Sequence, residues 1–264
     1  MKSKFDYKDY EILDKREMAS GLYFFRIKGD LKFKPGQFIQ AAVDHIGEAT
    51  FAPCSKIEED KTFDLVVRDC GNTSHAISNL LPGEKIKIRG PYGNGWPTEL
   101  LEGKELIIIA GGMGMVPLVP LLHELYPRRN YKGVHLVAGF KSEDHILFSD
   151  ELKEFSDSID THIVLEYKRP GGIGRKGIIT EGLKEVEFKP KRSLALICGP
   201  EIMFSHCVDI LRKKGLSDNQ IYVSFERRME CGIGLCQHCN IGKYLVCKDG
   251  PIFRWDKIKG ELTK

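Results

Sequence analysis

Four of the eight cysteines in this 264-residue chain fall within one short segment. The segment reads Cys231-Gly-Ile-Gly-Leu-Cys236-Gln-His-Cys239, and Cys247 follows after seven further residues. Intervals of four and then two residues between the first three cysteines are the plant-type spacing for a two-iron two-sulfur cluster. The glycines between the cysteines permit the close approach and positive φ that a loop around a cluster needs. We therefore predict that these four thiolates ligate one 2Fe-2S cluster.

A structural zinc site also uses four thiolates and is the alternative for the same cysteines. Zinc ligands usually come as two Cys-x2-4-Cys pairs separated by about a dozen residues or more. In this chain three of the cysteines fall within nine residues, which favours the iron-sulfur assignment. His238 stands between two cysteines and could make a Rieske-like ligand. Four cysteines already complete the ligand set, so we expect His238 in a solvated loop. The remaining cysteines are scattered along the chain: Cys54, Cys70, Cys198 and Cys207.

A glycine turn follows an apolar strand in Ile107-Ile-Ile-Ala-Gly111-Gly112-Met-Gly114-Met115-Val-Pro117. Backbone N–H groups and the dipole at the start of the next helix would attract the pyrophosphate of a dinucleotide. Pro117 stands where the G-x-G-x-x-G fingerprint has its third glycine, so a tight strand-to-helix turn without a ligand is the alternative. A second apolar strand ends in Cys198-Gly199-Pro200. Two such ends at the carboxyl edge of one sheet predict a nucleotide site.

Two patterns of apolar residues indicate the elements that would position these segments. From about residue 5 to 90, short alternations such as YFFRIKG and TFDLVVRD predict an antiparallel barrel or sandwich. From Glu105, apolar runs such as ELIIIAGG and SLALICGP alternate with helical patterns and predict a parallel sheet. The breaker-rich stretch PYGNGWP, residues 91–97, lies between the two patterns.

The sequence therefore predicts three modules. An antiparallel β-barrel would cover residues 1–97, and a parallel-sheet α/β nucleotide domain would cover 98–225. Residues 226–264 are rich in Gly and Cys and have little periodicity, so they cannot build a conventional core. Metal ligation would supply the missing stability to this small C-terminal iron-sulfur module.

The composition argues against several classes of function. Forty Lys and Arg residues stand against 37 Asp and Glu residues, so the formal charge of +3 gives no strong footprint for nucleic acid or a membrane surface. No apolar run reaches the roughly 20 residues that span a bilayer, and the start MKSKFDYKDYEIL lacks the apolar region of a signal peptide. We therefore expect a cytoplasmic protein with reduced thiols, whose ligands are small molecules and other proteins.

Over nearly its whole length the chain resembles the ferredoxin-reductase-type flavoproteins. AGGMGMVPL resembles their pyrophosphate loop, CGPEIMF their nicotinamide-side loop, and GPYGNGWP the joint between their flavin barrel and nucleotide domain. The segment ERRMECGIGLCQHC, with VCKDGPIF after it, is similar to the electron-transfer subunits of dihydroorotate dehydrogenase, cytoplasmic hydrogenases (sulfhydrogenase gamma) and anaerobic sulfite reductase. The resemblance implies FAD, a nicotinamide nucleotide and one 2Fe-2S cluster.

The flavin motif of the resembling family is Arg-x-Tyr-Ser/Thr, and the matching residues here are Ala52-Pro53-Cys54-Ser55. Of this motif only the hydroxyl remains, as Ser55. In the resembling family the arginine contacts the flavin phosphates, so another residue must supply that contact here. The next loop offers a guanidinium, hydroxyls and a glycine turn that suit a pyrophosphate: Arg68, Gly71, Thr73 and Ser74. A polar hairpin turn is the alternative for this loop. Cys54 lies either beside the flavin ring or in the barrel core.

The resemblance also implies a nucleotide site and two catalytic residues. The candidate nucleotide-binding residues are Gly111, Gly112, Gly114, Met115, Lys141, Arg169, Cys198, Gly199 and Pro200. Cys198 is expected close to the carbon that transfers the hydride. Ser55 is expected near the reactive nitrogen of the flavin.

The strand HIVLEY, residues 162–167, matches a strand of the resembling family. In that family, the segment after this strand lies by the adenosine ribose. Four cations follow this strand: Lys168, Arg169, Arg175 and Lys176. Cations suit the 2'-phosphate of NADPH, and Arg169 could bind it bidentately, so we predict a preference for NADPH. A solvated basic loop is the alternative, and Glu166 or Asp144 could instead bind the ribose hydroxyl of NADH.

These features predict an NAD(P)H-oxidising subunit that passes electrons through FAD and a 2Fe-2S cluster to a partner catalytic subunit of the hydrogenase or sulfite reductase type. The electron-transfer subunit of dihydroorotate dehydrogenase is the alternative within this class. A zinc-bearing nucleotide sensor without redox activity is the alternative from another class.

Overall fold

The computed structural model describes residues 5–55, 61–126 and 131–262 of the chain. The chain divides into two compact units. The first, which we call the barrel unit, joins Met1–Trp96 with Arg227–Pro251. The second, which we call the α/β unit, joins Pro97–Glu226 with Ile252–Lys264. The C-terminal segment is therefore divided between the two units. The domain bounds 1–97, 98–225 and 226–264 stay a prediction.

Six antiparallel strands and one helix form the N-terminal part of the barrel unit. In chain order they are β1 Lys8–Ala19, β2 Leu22–Lys28, β3 Phe38–Val43, β4 Gly47–Phe51, β5 Thr62–Arg68, α1 Asn72–Asn79 and β6 Lys85–Tyr92. The strand order is β4-β3-β6-β1-β2-β5. A bridge between Pro53, just after β4, and Leu65 of β5 joins the two edge strands. The sheet thus closes on itself, which confirms the predicted antiparallel barrel.

The barrel core follows from the alternation that the sequence shows. Successive side chains of a strand point to opposite faces, so apolar residues at every second position form one inward face. Ile12, Phe25, Ile39 and Leu65, from four different strands, pack in one buried cluster. Ile77 of α1 belongs to the same cluster, so the helix packs against the barrel.

The rest of the chain contains nine strands and six helices in its described part. Before residue 226 they are β7 Glu105–Gly111, α2 Val119–Leu125, β8 Gly133–Phe140, α3 Ser149–Phe155, β9 Asp160–Leu165, β10 Arg175–Lys176, α4 Ile179–Glu185, β11 Ser193–Cys198, α5 Ile202–Lys213 and β12 Ile221–Ser224. After it they are β13 Asn240–Ile241, β14 Tyr244–Leu245, α6 Val246–Asp249, β15 Ile252–Arg254 and α7 Trp255–Ile258. Several short 3-10 turns, such as Gly112–Met115, lie between these elements.

The α/β unit is built on a seven-stranded sheet of order β10-β9-β8-β7-β11-β12-β15. Its first six strands are parallel, which confirms the predicted α/β domain. The central strands β7 and β11 are covered on both faces, so they read as continuous apolar runs rather than alternations. β15 pairs antiparallel with β12 at the edge. The sequence does not predict this strand, because three residues carry no readable period.

Among the described residues, no helix is both long and apolar enough to cross a membrane.

Candidate functional site

The four predicted cluster ligands lie together in the barrel unit. Cys231, Cys236 and Cys239 occupy an irregular loop that leads into β13, and Cys247 lies in α6. The short hairpin of β13 and β14 reverses the chain between them. The N–H of Val246 donates to the carbonyl of Cys239 at 3.0 Å, which holds the start of α6 against the loop.

The four thiols are arranged as two pairs. The N–H of Cys236 donates to Cys231 Sγ at 3.4 Å, and the two thiols interact. The N–H of Cys247 donates to Cys239 Sγ at 3.4 Å, and these two thiols also interact. The N–H of Gly234 donates to Cys247 Sγ at 3.1 Å, so the loop of the first pair contacts the second pair. Gly234 has a φ of +83°, which directs its N–H toward the sulfur without a steric penalty.

Two pairs of thiols suit a two-iron cluster, because each iron takes two protein thiolates. A tetrahedral zinc ion would instead need four donors around one point. Backbone N–H groups of Ile233 and Leu235 also point at Cys231 Sγ, at 3.5 and 3.2 Å, and would stabilise thiolate charge. The arrangement therefore fits a 2Fe-2S cluster better than zinc.

The two pairs differ in their surroundings. Cys236 is exposed, and backbone hydrogen bonds at His238 and Cys231 lower the pKa of its thiol. Cys247 is buried, and burial together with the neighbouring Cys239 raises the pKa of its thiol to about 12. Metal ligation requires thiolates, so an incoming iron must displace the more tightly held proton at Cys247.

The first predicted flavin segment runs alongside β5. The N–H of Cys54 donates to the carbonyl of Asp64 at 2.9 Å, and Pro53 bridges Leu65. Cys54 is only 2% exposed, in agreement with the core alternative for this thiol. Ser55 is also buried, and its Oγ has no hydrogen-bond partner among the described residues. A buried hydroxyl without a partner is unfavourable, so a ligand atom at Ser55 Oγ would remove a cost. Ala52 is half-buried at the start of the segment.

The second flavin segment follows the other end of β5. Arg68 ends the strand with its side chain exposed, and α1 starts after Gly71. Ser74 Oγ accepts from the N–H of Gly71 at 2.9 Å and donates to the Gly71 carbonyl at 3.0 Å. The Ser74 hydroxyl is therefore already used by the turn. Thr73 is half-buried and packs near Gly47 of β4, so the donors left for a phosphate are Arg68, Thr73 and the backbone.

The two predicted nucleotide loops lie side by side at the carboxyl edge of the α/β sheet. Cys198, at the end of β11, pairs with Ala110 near the end of β7. A Cβ on Gly114 would lie 2.2 Å from the carbonyl oxygen of Cys198, and one on Gly199 would lie 2.9 Å from Gly111 Cα. Only glycines allow this approach, so the chain keeps the two loops in contact. A Cβ on Gly112 would meet nothing within 4 Å, which leaves open space beside this turn.

The other predicted nucleotide residues differ in accessibility. Cys198 is 1% exposed, and burial raises the pKa of its thiol to about 12, so it is a neutral thiol at physiological pH. Met115 has no exposed surface and belongs to the core. Pro200 and Lys141 are exposed, and the Lys141 carbonyl accepts from the N–H of Tyr167 at 2.8 Å. The buried Cys198 thiol can therefore shape the site, but it does not act as a base.

A pocket with both signs of charge lies at the carboxyl ends of β8 and β9. Its lining residues are Ser142, Glu143, Asp144, Tyr167, Lys168, Arg169 and Lys176. Arg169 forms an ion pair with Asp144, and its backbone N–H donates to Glu143 Oε1 at 2.9 Å. Arg175 is paired with Glu185 and does not line the pocket. Three of the four predicted cations therefore converge here, together with Asp144, one of the two carboxylates proposed for NADH; Glu166 is not among the lining residues.

Sequence reasoning missed Arg89, which is buried beneath the cluster loop. Lys85, Lys87 and Arg89 share one face of β6, and the alternation predicts that this face is solvated. Arg89 is nevertheless only 3% exposed, because residues near 230 cover it. A covering segment about 140 residues later in the chain leaves no local signal in the strand.

Three family models match consecutive parts of the chain. The oxidoreductase FAD-binding domain matches residues 14–96, and the oxidoreductase NAD-binding domain matches residues 108–209. The iron-sulfur cluster binding domain of dihydroorotate dehydrogenase B matches residues 226–259. These matches cover all three groups of candidate residues.

Known proteins resemble the chain over most of its length. Sulfhydrogenase 2 subunit gamma of Pyrococcus furiosus is 36% identical, over 95% of this chain and 96% of that protein. The probable dihydroorotate dehydrogenase B (NAD(+)) electron transfer subunit of Thermococcus kodakarensis is 32% identical, over 93% and 95%. The solved NADH-dependent reduced ferredoxin-NADP oxidoreductase, studied for flavin-based electron bifurcation, is 26% identical with a TM-score of 0.77, over 96% of this chain and 92% of that one. The chain therefore belongs to the family of FAD-, NAD- and iron-sulfur-binding oxidoreductase subunits that includes sulfhydrogenase subunit gamma and the dihydroorotate dehydrogenase B electron transfer subunit.

Proposed function

We propose that this chain oxidises a nicotinamide nucleotide through FAD and passes the electrons, by way of a 2Fe-2S cluster, to a partner catalytic subunit. The observation that carries this proposal is the arrangement of Cys231, Cys236, Cys239 and Cys247 as two thiol pairs with backbone N–H groups directed at their sulfurs. Such a site accepts electrons singly, whereas a nicotinamide delivers two as hydride, and FAD converts between the two when bound.

The residues of the barrel unit would hold the flavin and the cluster. Ser55 supplies a buried hydroxyl that lacks a partner among the described residues, which suits a hydrogen bond to the flavin ring. Arg68 supplies a charge, and Thr73 a hydroxyl, for the pyrophosphate. Extraction of the native protein with acid should release FAD, because the cation and hydroxyl of the loop after β5 suit a pyrophosphate, which FMN lacks. Release of FMN would contradict this assignment.

The residues of the α/β unit would hold the nicotinamide nucleotide. Gly112 leaves open space for the pyrophosphate, Gly111 and Gly114 let the two loops pack together, and Gly199 and Pro200 would border the nicotinamide side. The buried Cys198 thiol stays protonated, because burial raises its pKa, so it gives the site shape without adding charge. No side chain of this unit has to act as a general acid or base, because hydride transfer needs position and exclusion of water rather than proton transfer.

The pocket at Arg169 supports NADPH as the preferred nucleotide. Lys168 and Lys176 add two cations to the lining, and a 2'-phosphate would compete with Asp144 for Arg169. The same Asp144, if released from Arg169, could accept from the ribose hydroxyl of NADH. We propose that the pair acts as the selector between the two nucleotides.

The proposed partner is a catalytic subunit of the hydrogenase or sulfite reductase type. The 36% identity to a sulfhydrogenase gamma subunit supports this choice, while the iron-sulfur model named for dihydroorotate dehydrogenase B supports the alternative. Anaerobic purification from native cells, followed by identification of the proteins that remain bound in stoichiometric amount, separates these partners. Cytoplasmic localisation belongs to the same proposal and predicts that the complex is recovered from the cytoplasmic fraction.

A zinc-bearing nucleotide sensor remains the candidate from another class. The visible spectrum of the purified protein separates it from the proposed function. Flavin bands with broad iron-sulfur absorption would support the proposed electron transfer. A colourless protein that contains zinc would contradict the proposed electron transfer and support the sensor.

A further inference from the structure

Arg89, within β6, is a buried cation that the proposed electron path does not by itself explain. Its guanidinium makes six hydrogen bonds, although arginine is rarely buried unless it is paired. Glu48 of β4 binds it bidentately, with Nε to Oε2 at 2.8 Å and Nη2 to Oε1 at 2.6 Å. The hydroxyls of Tyr7 and Tyr92 accept at 3.2 and 3.4 Å.

The two remaining hydrogen bonds reach the cluster loop. Arg89 Nη1 donates to the carbonyl of Cys231 at 2.7 Å, and Nη2 donates to the carbonyl of Glu230 at 3.2 Å. All these residues belong to the barrel unit. A planar guanidinium with all its N–H donors engaged fixes its partners in direction as well as distance. The backbone of the first cluster ligand is therefore tied to the barrel wall at this point.

Gln40 lies beside Arg89 under the same loop. It is the cross-strand partner of Arg89 on β3, and it has no exposed surface. Neither polar atom of its side chain has a hydrogen-bond partner among the described residues. A Cβ on Gly232, the residue after the first ligand, would lie 3.2 Å from Gln40 Nε2. The loop thus rests directly on these two side chains, and glycine at 232 permits the approach.

The charges of Arg89 and Glu48 affect the reduction potential of a bound cluster. Cluster type, net charge, hydrogen bonds to the sulfurs and solvent exposure set the reduction potential of an iron-sulfur cluster. Arg89 donates to backbone carbonyls, so its effect on the potential comes from its charge. Reduction adds negative charge, so a nearby cation favours the reduced form and a nearby carboxylate opposes it. Arg89 and Glu48 form a compensated pair, of which Arg89 contacts the ligand backbone directly.

We propose that Arg89 is a positioning residue of the iron-sulfur site, which holds the Glu230–Cys231 backbone and, as a compensated pair with Glu48, sets the reduction potential of the cluster. This inference rests on the proposed function, because it requires a cluster at Cys231.

The test uses the full-length protein and the variants Arg89→Gln, Glu48→Gln and the double variant. The matched control is Arg26→Gln, which removes the cation of the Arg26–Asp64 pair between β2 and β5, on strands that do not carry the cluster loop. The midpoint potential of the cluster is measured by an EPR-monitored redox titration, and the rate of iron loss is measured with a chelator.

We expect Arg89→Gln to lower the midpoint potential, because Glu48 is then uncompensated. Glu48→Gln should raise it, because Arg89 keeps its charge. The double variant should return near the native potential but lose iron roughly tenfold faster, the scale expected from losing a charge-assisted hydrogen bond. Arg26→Gln should leave both quantities unchanged.

Unchanged potentials in both single variants, with the cluster present, would overturn this inference alone. If Arg89→Gln does not fold, the Glu48→Gln protein decides: a raised potential supports the inference and an unchanged one overturns it. A native protein without acid-labile sulfide would overturn the proposed function, and this inference with it.

Discussion

The ligand cysteines are the single residues on which the proposed chemistry depends most. Cys236→Ser should abolish or strongly destabilise the cluster, because serine replaces one thiolate of the exposed pair. FAD and nucleotide binding should remain, since the predicted sites for both lie outside this loop. The variant should therefore bleach its flavin with NAD(P)H but fail to reduce the one-electron partner that the cluster serves. Iron content and reduced-state EPR are the measurements.

Cys70→Ser is the control for that experiment, because Cys70 is exposed and lies outside the cluster loop. It should keep the native iron content and EPR signal. Native iron content in Cys236→Ser would sink the ligand assignment.

Two buried thiols outside the cluster loop should make the stability of the fold depend on pH in the alkaline range. Burial raises the pKa of Cys198 and Cys207 to about 12, above the ordinary value of 9.0. The folded protein then holds these protons more tightly than the unfolded chain, so the stability they contribute is complete below about pH 9 and is lost as the pH rises toward about 12. The melting temperature should fall over this range, and it should fall less steeply in Cys207→Ala. Parallel slopes for the native protein and this variant would contradict the explanation.

The loop after β7 packs closely against the end of β11, where Gly114 lies beside the backbone of Cys198. Gly114→Ala would place a Cβ 2.2 Å from the carbonyl oxygen of Cys198, so one of the two loops must move. Overpacking of this kind costs about 1–3 kcal/mol. We expect a loss of that order in the free energy of unfolding, together with weaker nucleotide binding.

Gly133→Ala, at the start of β8, is the matched control, because its Cβ would have its nearest neighbour at 3.5 Å. Chemical denaturation and nucleotide titration measure both variants. Equal stability and equal affinity in the two proteins would show that the loops tolerate a side chain at 114.

The pocket after β8 and β9 should decide between the two nucleotides. We expect kcat/KM to favour NADPH, and Arg169→Ala to reduce the ratio of NADPH to NADH by about tenfold or more, the scale of a lost charge-assisted hydrogen bond. Asp144→Asn should raise the same ratio, because it releases Arg169 from its ion pair.

Arg175→Ala is the control for the pocket, since Arg175 is paired with Glu185 outside it. A native ratio in Arg169→Ala, or a larger effect of Arg175→Ala, would show that the pocket is not the selector.

Local periodicity explains which elements could be predicted. The apolar runs at 105–111 and 193–198 indicate buried parallel strands, because both faces of such strands are covered. The alternation in β2 indicates a barrel wall, because one face of such a strand is covered and the other faces solvent. What escaped prediction depends on contacts distant in sequence: β15 is too short to have a period, and Arg89 is buried by a loop that comes much later.

In the candidate site too, some features follow from the spacing of residues in the sequence, and others depend on contacts that the sequence does not show. Spacing alone grouped Cys231, Cys236, Cys239 and Cys247, because the plant-type pattern already identifies a set of four ligands. The use of Ser74 Oγ within its own turn, and the pairing of Arg169 with Asp144, depend on side-chain positions that no spacing reveals.

At the scale of the whole molecule, the chain combines three binding modules in the order flavin, nucleotide and cluster, as the family matches to residues 14–96, 108–209 and 226–259 indicate. The loop with the cluster ligands is built into the barrel unit. The exposed residues from Leu235 to His238 leave one side of the loop accessible, which is what a partner protein would need.

The central claim is that electrons from a nicotinamide nucleotide reach a 2Fe-2S cluster in this chain. The most direct test is EPR spectroscopy of the anaerobically purified full-length protein before and after addition of NADPH. We predict no cluster signal before addition, and afterwards the signal of one reduced 2Fe-2S cluster. A protein that contains FAD but shows no such signal with either NADPH or NADH would contradict the account.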